Sequence, residues 1–282
     1  MQKLINNRLL ISFQEKLPQI RSKELTCVLL FYNMYGMEKR LFEITRNSPV
    51  ALKTYVLELK ALEPGYEFSG EFVDISLDGF YLRRPLSVCG YAPGSLTILY
   101  KRVGEGTKAL SAMVPGQRLE LLTGLGRGFD ASATRSAALL AGGGLGAAPL
   151  LPLCRSLKAA GKRVSVALGF NTAGEVVLER EFAEVCDALA IATVDGSKGV
   201  RGFVTDAIEA LKPEFDFYYT CGPLVMMKAV CAALDGPAEV SLEERMGCGA
   251  GLCYGCSCHT LTGPRRICKD GPVFRKEEVI WQ

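Results

Sequence analysis

Between residues 41 and 120, short runs of alternating apolar and polar positions recur between turn signals, the pattern of β-strands. Residues 54–59 read as one strand, and 71–75, 80–83, 95–100 and 118–122 as others. Pro64-Gly65, Asp78-Gly79, Pro93-Gly94 and Pro115-Gly116 punctuate them. Short strands at such regular spacing predict a barrel or a sandwich.

From about residue 136 the apolar pattern changes. A short apolar run at 137–141 meets a glycine-rich turn and then a helical stretch to residue 160. Residues 164–168, 189–194 and 217–220 read as further buried strands, with a helix at 204–211 and another opening at Leu224. Strands alternating with helices predict a parallel α/β sheet. A third segment, rich in cysteine and glycine, begins near Ala238. The first 36 residues carry no motif. They read either as an N-terminal helix or as the product of a start codon placed too far upstream, since Met34 and Met37 stand just before the first strand-like pattern.

The chain has 282 residues, enough for two or three domains. A formal net charge of +3 gives no reason to expect nucleic acid or an anionic membrane as partner. No apolar run approaches the ~20 residues of a membrane span. His259 is the one histidine, which excludes any site built on two or more; a solvent-facing or packing role is expected for it. Eleven cysteines is an odd number, and no signal-peptide pattern precedes them. A reducing, cytoplasmic setting is therefore expected.

Four of those cysteines carry the chemistry. Cys248, Cys253 and Cys256 stand in a C-x4-C-x2-C pattern, and Cys268 follows after eleven residues. That is the plant-type [2Fe–2S] spacing. Gly247, Gly249, Gly251 and Gly255 surround the first three, so backbone N–H groups are free to turn toward sulfur. Four thiolates also suit zinc, but zinc ribbons pair two C-x2-C knuckles and only Cys253/Cys256 has that spacing. Cys258 could replace Cys256 in a slipped register; the pattern is complete without it.

Gly142, Gly143, Gly144 and Gly146 lie in a turn between a strand and a helix, where N–H groups can hold a pyrophosphate. Tight helix–strand packing is the competing explanation. The second strand of this unit ends Leu168-Gly169-Phe170-Asn171, with no acid for a ribose diol and no arginine cluster for a 2′-phosphate. NAD is favoured over NADP on that ground. Cys221, Gly222 and Pro223 close the fourth strand, at the edge where open sheets bind ligands. Upstream, Arg84 could neutralise a phosphate, Ser87 could bond a flavin ring edge, and Gly104 to Thr107 offers a second tight turn.

Together these motifs resemble the ferredoxin–NADP reductase superfamily. Arg84-Pro85-Leu86-Ser87 is similar to its R-P-x-S flavin motif. Leu99, Tyr100 and Lys101, with Gly106 and Thr107, fall where its other FAD contacts lie. The Gly142–Gly146 turn and Cys221-Gly222-Pro223 match its nicotinamide-side motifs. More narrowly, Met246-Gly247-Cys248 through Cys256, closed by Cys268-Lys269-Asp270-Gly271-Pro272-Val273-Phe274, resembles the electron-transfer subunits of bacterial NAD-linked (type 1B) dihydroorotate dehydrogenases. Asp195-Gly196-Ser197 and Gly202-Phe203-Val204-Thr205 share that likeness, which runs from about Leu41 to Phe274. The departures are the N-terminal extension, a short gap before Cys268 and the extra Cys258.

The resemblance implies an antiparallel flavin-binding barrel at 41–135, a parallel-sheet nicotinamide-binding domain at 136–237 and a small [2Fe–2S] domain at 238–282, after an extension at 1–40. It implies FAD, a [2Fe–2S] cluster and NAD as cofactors. The partner it implies is an FMN-containing dihydroorotate dehydrogenase catalytic subunit, in a heterotetramer of two of each. Electrons would pass singly through the cluster to FAD and leave as hydride on NAD⁺, serving pyrimidine biosynthesis. Ser87 and Cys221 would orient rings, and no acid or base is expected to act. Related subunits serve sulfide dehydrogenases, ferredoxin:NADP oxidoreductases and hydrogenases, some with Asp at the Cys248 position. A zinc-stapled interaction module is the reading from another class.

Overall fold

Apolar residues two apart line one face of each early strand, and that face turns inward. The computed structural model describes residues 36–68 and 70–281. The expectations for the N-terminal segment fall on residues 1–35, outside the described residues. Six strands close a barrel in the order β1 (Glu38–Ala51), β2 (Thr54–Ala61), β5 (Ser95–Lys101), β4 (Arg84–Ala92), β3 (Phe72–Ile75), β6 (Arg118–Leu125). Neighbours pair antiparallel. Leu57 with Leu59, Val73 with Ile75, and Leu96 with Ile98 fill the interior by period-two alternation. Of the two architectures left open, barrel or sandwich, the chain adopts the barrel. Closure leaves no unpaired edge.

Two local expectations fail. Residues 80–83 are not a strand. Phe80 N–H bonds Leu77 O at 3.2 Å, closing a turn over Asp78-Gly79, and Tyr81 is wholly exposed. The strand starts four residues later at Arg84, where Pro85 and Ser87 face Asp74 and Phe72 of β3. Alternation looked stronger at 80–83, but the neighbouring strand decides register. The expected tight turn at Gly104 to Thr107 instead opens helix α1 (Glu105–Ser111). The Thr107 hydroxyl accepts from Val103 and Gly104 N–H at 3.0 and 3.1 Å, using up its capacity locally.

The second half forms a seven-stranded sheet, order β10 (Val200–Arg201), β9 (Ala188–Thr193), β8 (Arg163–Phe170), β7 (Ala137–Gly143), β11 (Phe217–Cys221), β12 (Ala238–Ser241), β15 (Val273–Arg275). The first six run parallel, and β15 is antiparallel to β12. Every residue of β7 and β11 is buried, as a sheet covered on both faces requires. Helices α2 (Ala147–Ala159), α3 (Glu179–Ala183), α4 (Val204–Leu211) and α5 (Leu224–Ala233) connect the strands. The expected boundary at residue 238 falls between two paired neighbours: β12 and β15 belong to this sheet and bracket the cysteine-rich segment. Within that segment β13 (Ser257–Thr260) and β14 (Gly263–Arg266) form a hairpin ahead of the short helix α6 (Ile267–Asp270).

Barrel and sheet share a core. Val56, Cys89 and Leu99, on the barrel's outer face, pack with Leu150, Leu153 and Leu157 of α2. At the far end of the sheet, the Asp216 carboxylate accepts from the N–H groups of Arg135, Ser136 and Ala137 at 2.7–3.0 Å and from the Ser136 hydroxyl at 2.8 Å. Burial works to raise this acid, but the donors outweigh it and hold the carboxyl far below its ordinary range. Its contribution is therefore present above the unfolded-state pKa of ~3.9 and fades as pH falls toward the depressed folded value. Asp216→Asn is expected to cost about 1–3 kcal/mol at pH 7. The variant should also lose less stability on acidification than the parent; identical slopes in acid denaturation would contradict this.

Candidate functional site

The cysteine-rich loop arranges its thiols in two pairs. Cys248 lies with Cys253, and Cys256 with Cys268. Main-chain N–H groups are aimed at the sulfurs: Leu252 and Cys253 to Cys248 Sγ at 3.2 and 3.4 Å, and Gly255 to Cys253 Sγ at 3.4 Å. Gly251 donates to Cys268 Sγ at 3.1 Å and Cys268 to Cys256 Sγ at 3.4 Å. Burial acts to raise the Cys248 thiol, yet the backbone donors and the Cys253 thiol bring it down to about 7. Burial and the neighbouring Cys256 push Cys268 up. Two irons need two ligand pairs and donors to the sulfurs, and the loop fits that demand.

Glycine makes the loop possible at two points. Gly249 has φ +63° and Gly251 has φ +79°, and a methyl group on Gly251 would lie 2.6 Å from Lys269 Cδ. Arg266, absent from the sequence reading, staples the loop. Its guanidinium donates to Gly251 O at 2.8 Å and Asp270 Oδ2 at 3.0 Å, and lies 4.7 Å from the Tyr254 ring centroid. The Arg–x3–Asp spacing within a helical turn was the available signal. Cys256 is buried, whereas Cys258 is half-buried on β13 opposite Arg265. His259, also on β13, is exposed as expected.

On the barrel, Arg84 and Gly106 come together: a methyl group at Gly106 would strike the Arg84 guanidinium, which lies 4.8 Å from the Phe80 ring centroid. Ser87 is half-buried on the same strand, and Leu86 packs on the barrel core. A basic group over a glycine-opened helix start fits an anionic cofactor. The other expected contacts separate. Tyr100 is inside the barrel with its hydroxyl bonded to Asn47 Oδ1 at 2.8 Å, and Leu99 belongs to the shared core. Lys101 pairs with Glu175 at 3.1 Å. Their side chains are thus committed elsewhere, because alternate residues of β5 serve opposite faces.

The glycine-rich turn divides its duties. Gly142 packs on Leu168 and Leu150; Gly146 lies so close to the Cys221 carbonyl that no side chain fits. Both serve helix–strand packing, the explanation that competed with ligand approach. Gly144, at φ +54°, has open space around its α-carbon. Gly143 abuts Pro223 and Met226, and Gly222 lies against Gly143. The Cys221 thiol is buried, and burial, with Glu243 and Glu71 nearby, pushes it up against the lowering effect of Ser241. An acid does exist past β8: Glu175 folds back to accept from Asn171 Nδ2 at 2.8 Å while paired with Lys101.

Strand β3 links all three places. Ser87 and Pro85 pair across it, Glu71 at its start reaches toward Cys221, and Asp74 touches the loop at Gly249.

A model for the iron-sulfur cluster binding domain of dihydroorotate dehydrogenase B matches residues 243–280. An electron transfer subunit of dihydroorotate dehydrogenase B (NAD(+)) from Bacillus caldolyticus is 42% identical over 259 residues, covering 88% of this chain and 100% of the relative. Its counterpart from Bacillus mycoides is 40% identical, covering 86% and 99%. Among solved structures, an NADH-dependent reduced ferredoxin-NADP oxidoreductase superposes with TM-score 0.77 at 32% identity, covering 85% of this chain and 90% of that one. Phthalate dioxygenase reductase, at TM-score 0.60 and 17% identity over 81% and 88%, shares the fold.

Proposed function

This chain belongs to the family of electron transfer subunits of dihydroorotate dehydrogenase B, and we propose that it carries electrons from a dihydroorotate-oxidising partner to NAD⁺ in pyrimidine biosynthesis. It is an oxidoreductase subunit whose cofactors are FAD, a [2Fe–2S] cluster and NAD. The observation that carries the reading is the pair of thiol pairs, each supplied with N–H donors, held against a barrel strand. When bound, the cluster exchanges single electrons and the flavin joins that exchange to hydride transfer with nicotinamide.

The chain's own residues bind and orient. Cys248, Cys253, Cys256 and Cys268 ligate iron, and Arg266 holds their loop closed. Arg84 neutralises the flavin's phosphates and Ser87 faces its ring edge, with Gly106 keeping the helix start open. Gly144 and the N-terminus of α2 receive the pyrophosphate of NAD, and Gly222-Pro223 borders its nicotinamide end. The barrel is the flavin-binding region, the sheet the nicotinamide-binding region and the loop between β12 and β15 the cluster region. The partner carries FMN, in an assembly of two copies of each chain. No helix among the described residues is long and apolar enough to cross a membrane. All ten described cysteines are unbridged, which supports a reducing, cytoplasmic setting.

An anaerobic pull-down of the tagged chain from its native cell should bring down a flavoprotein and form NADH when dihydroorotate is added. If NADH bleaches the chain's own chromophores while dihydroorotate yields no NADH, the donor assignment is wrong and the reductase assignment stands.

A further inference from the structure

We propose that Asp74 tunes the cluster: it is a fixed carboxylate that β3 presses against the cysteine loop, and its charge lowers the cluster's reduction potential. The proposal rests on the cluster reading above. Asp74 is 1% exposed. Its Oδ2 lies against Gly249, the residue directly after Cys248, so closely that any side chain there would collide. Its Oδ1 has no hydrogen-bond partner.

The two nearest cations are occupied. Arg83 gives Nη2 to Glu120 at 2.6 Å and reaches only the main-chain oxygen of Asp74, at 3.4 Å. Arg84 turns to Leu82 O and the Phe80 ring. The carboxylate's charge is therefore attenuated by these arginines but not cancelled by a direct pair. Burying an unsatisfied carboxylate costs stability, and an apolar side chain would fill the same space without that cost. What the carboxylate adds is a negative field in a low-dielectric region beside the iron ligands. Net charge near a cluster is one of the quantities that sets its potential, since adding an electron next to a negative charge is disfavoured. Burial raises the Asp74 acid to about 6, with Arg83 and Arg84 opposing, so the comparison is made well above that value.

The test is a redox titration of the full chain with its cofactors at pH 8.5, following the reduced cluster by electron paramagnetic resonance. Asp74→Asn keeps the shape and removes the charge. Its cluster should be easier to reduce by about tenfold in the one-electron equilibrium, ~59 mV upward. Asp74→Ser should move it in the same direction. An unchanged or lowered potential in a variant that retains its cluster overturns the proposal. Loss of the cluster from both variants overturns it too, and assigns Asp74 to holding the loop in place. A parent chain without any cluster signal would instead overturn the cluster reading.

Discussion

Cys248→Ser is expected to abolish dihydroorotate-dependent NADH formation while leaving the flavin bound. Cys248 receives two N–H donors and pairs with Cys253, so its loss would remove one of the four proposed iron ligands. Serine oxygen is a hard ligand with a far higher pKa than a thiol, and a cluster site selects soft thiolates. The barrel residues proposed to hold the flavin, Arg84, Ser87 and Gly106, make no contact with Cys248 through any hydrogen bond described above. Flavin content should therefore stay near one per chain, and NADH should still reduce an artificial acceptor. The cluster's visible absorption and magnetic signal should fall to background. Measuring flavin, iron and both activities on one preparation checks this. Full dihydroorotate turnover in the variant would remove Cys248 from the electron path.

Gly146→Ala is expected to weaken NADH binding through a main-chain clash in the nicotinamide region. The added carbon would meet the Cys221 carbonyl and Gly222 nitrogen. Both are backbone atoms in β11 and its following turn, so no side-chain rotation relieves the clash. Overpacking of this kind costs about 1–3 kcal/mol, and more when the obstacle is main chain. Relief requires α2 to lift from the sheet, which moves Gly144 and the helix N-terminus away from the end of β11. NADH affinity should drop by about tenfold or more for each ~1.4 kcal/mol lost from that arrangement. Gly144→Ala meets nothing within 4 Å and suffers only from its φ of +54°. Equal NADH binding in Gly146→Ala and the parent would refute the packing argument.

The cysteine-rich loop and the two architectures were legible in the sequence for a common reason: each is encoded by local spacing. C-x4-C-x2-C sets which thiols can converge, and residues two apart set which faces of a strand are buried. Tyr100 and Leu99 were not legible as core residues, because a motif match does not say which face of β5 each side chain takes. The displaced β4 was not legible either. Residues 80–83 alternate well, and only pairing with β3 starts the strand at Arg84.

By itself, then, the sequence determined the cysteine spacing, the glycine-rich turns and the succession of barrel, α/β sheet and cysteine loop, all carried by near neighbours in the chain. The tertiary structure alone decided what depends on contacts across long separations. It made Gly146 a packing residue and Gly144 the open one, tied Lys101 to Glu175, and enclosed the cysteine loop between two strands of the larger sheet. It also set Asp74 against Gly249, 175 residues further on. No local pattern records such a contact, because it exists only once β3 has closed into the barrel and the loop has folded back upon it.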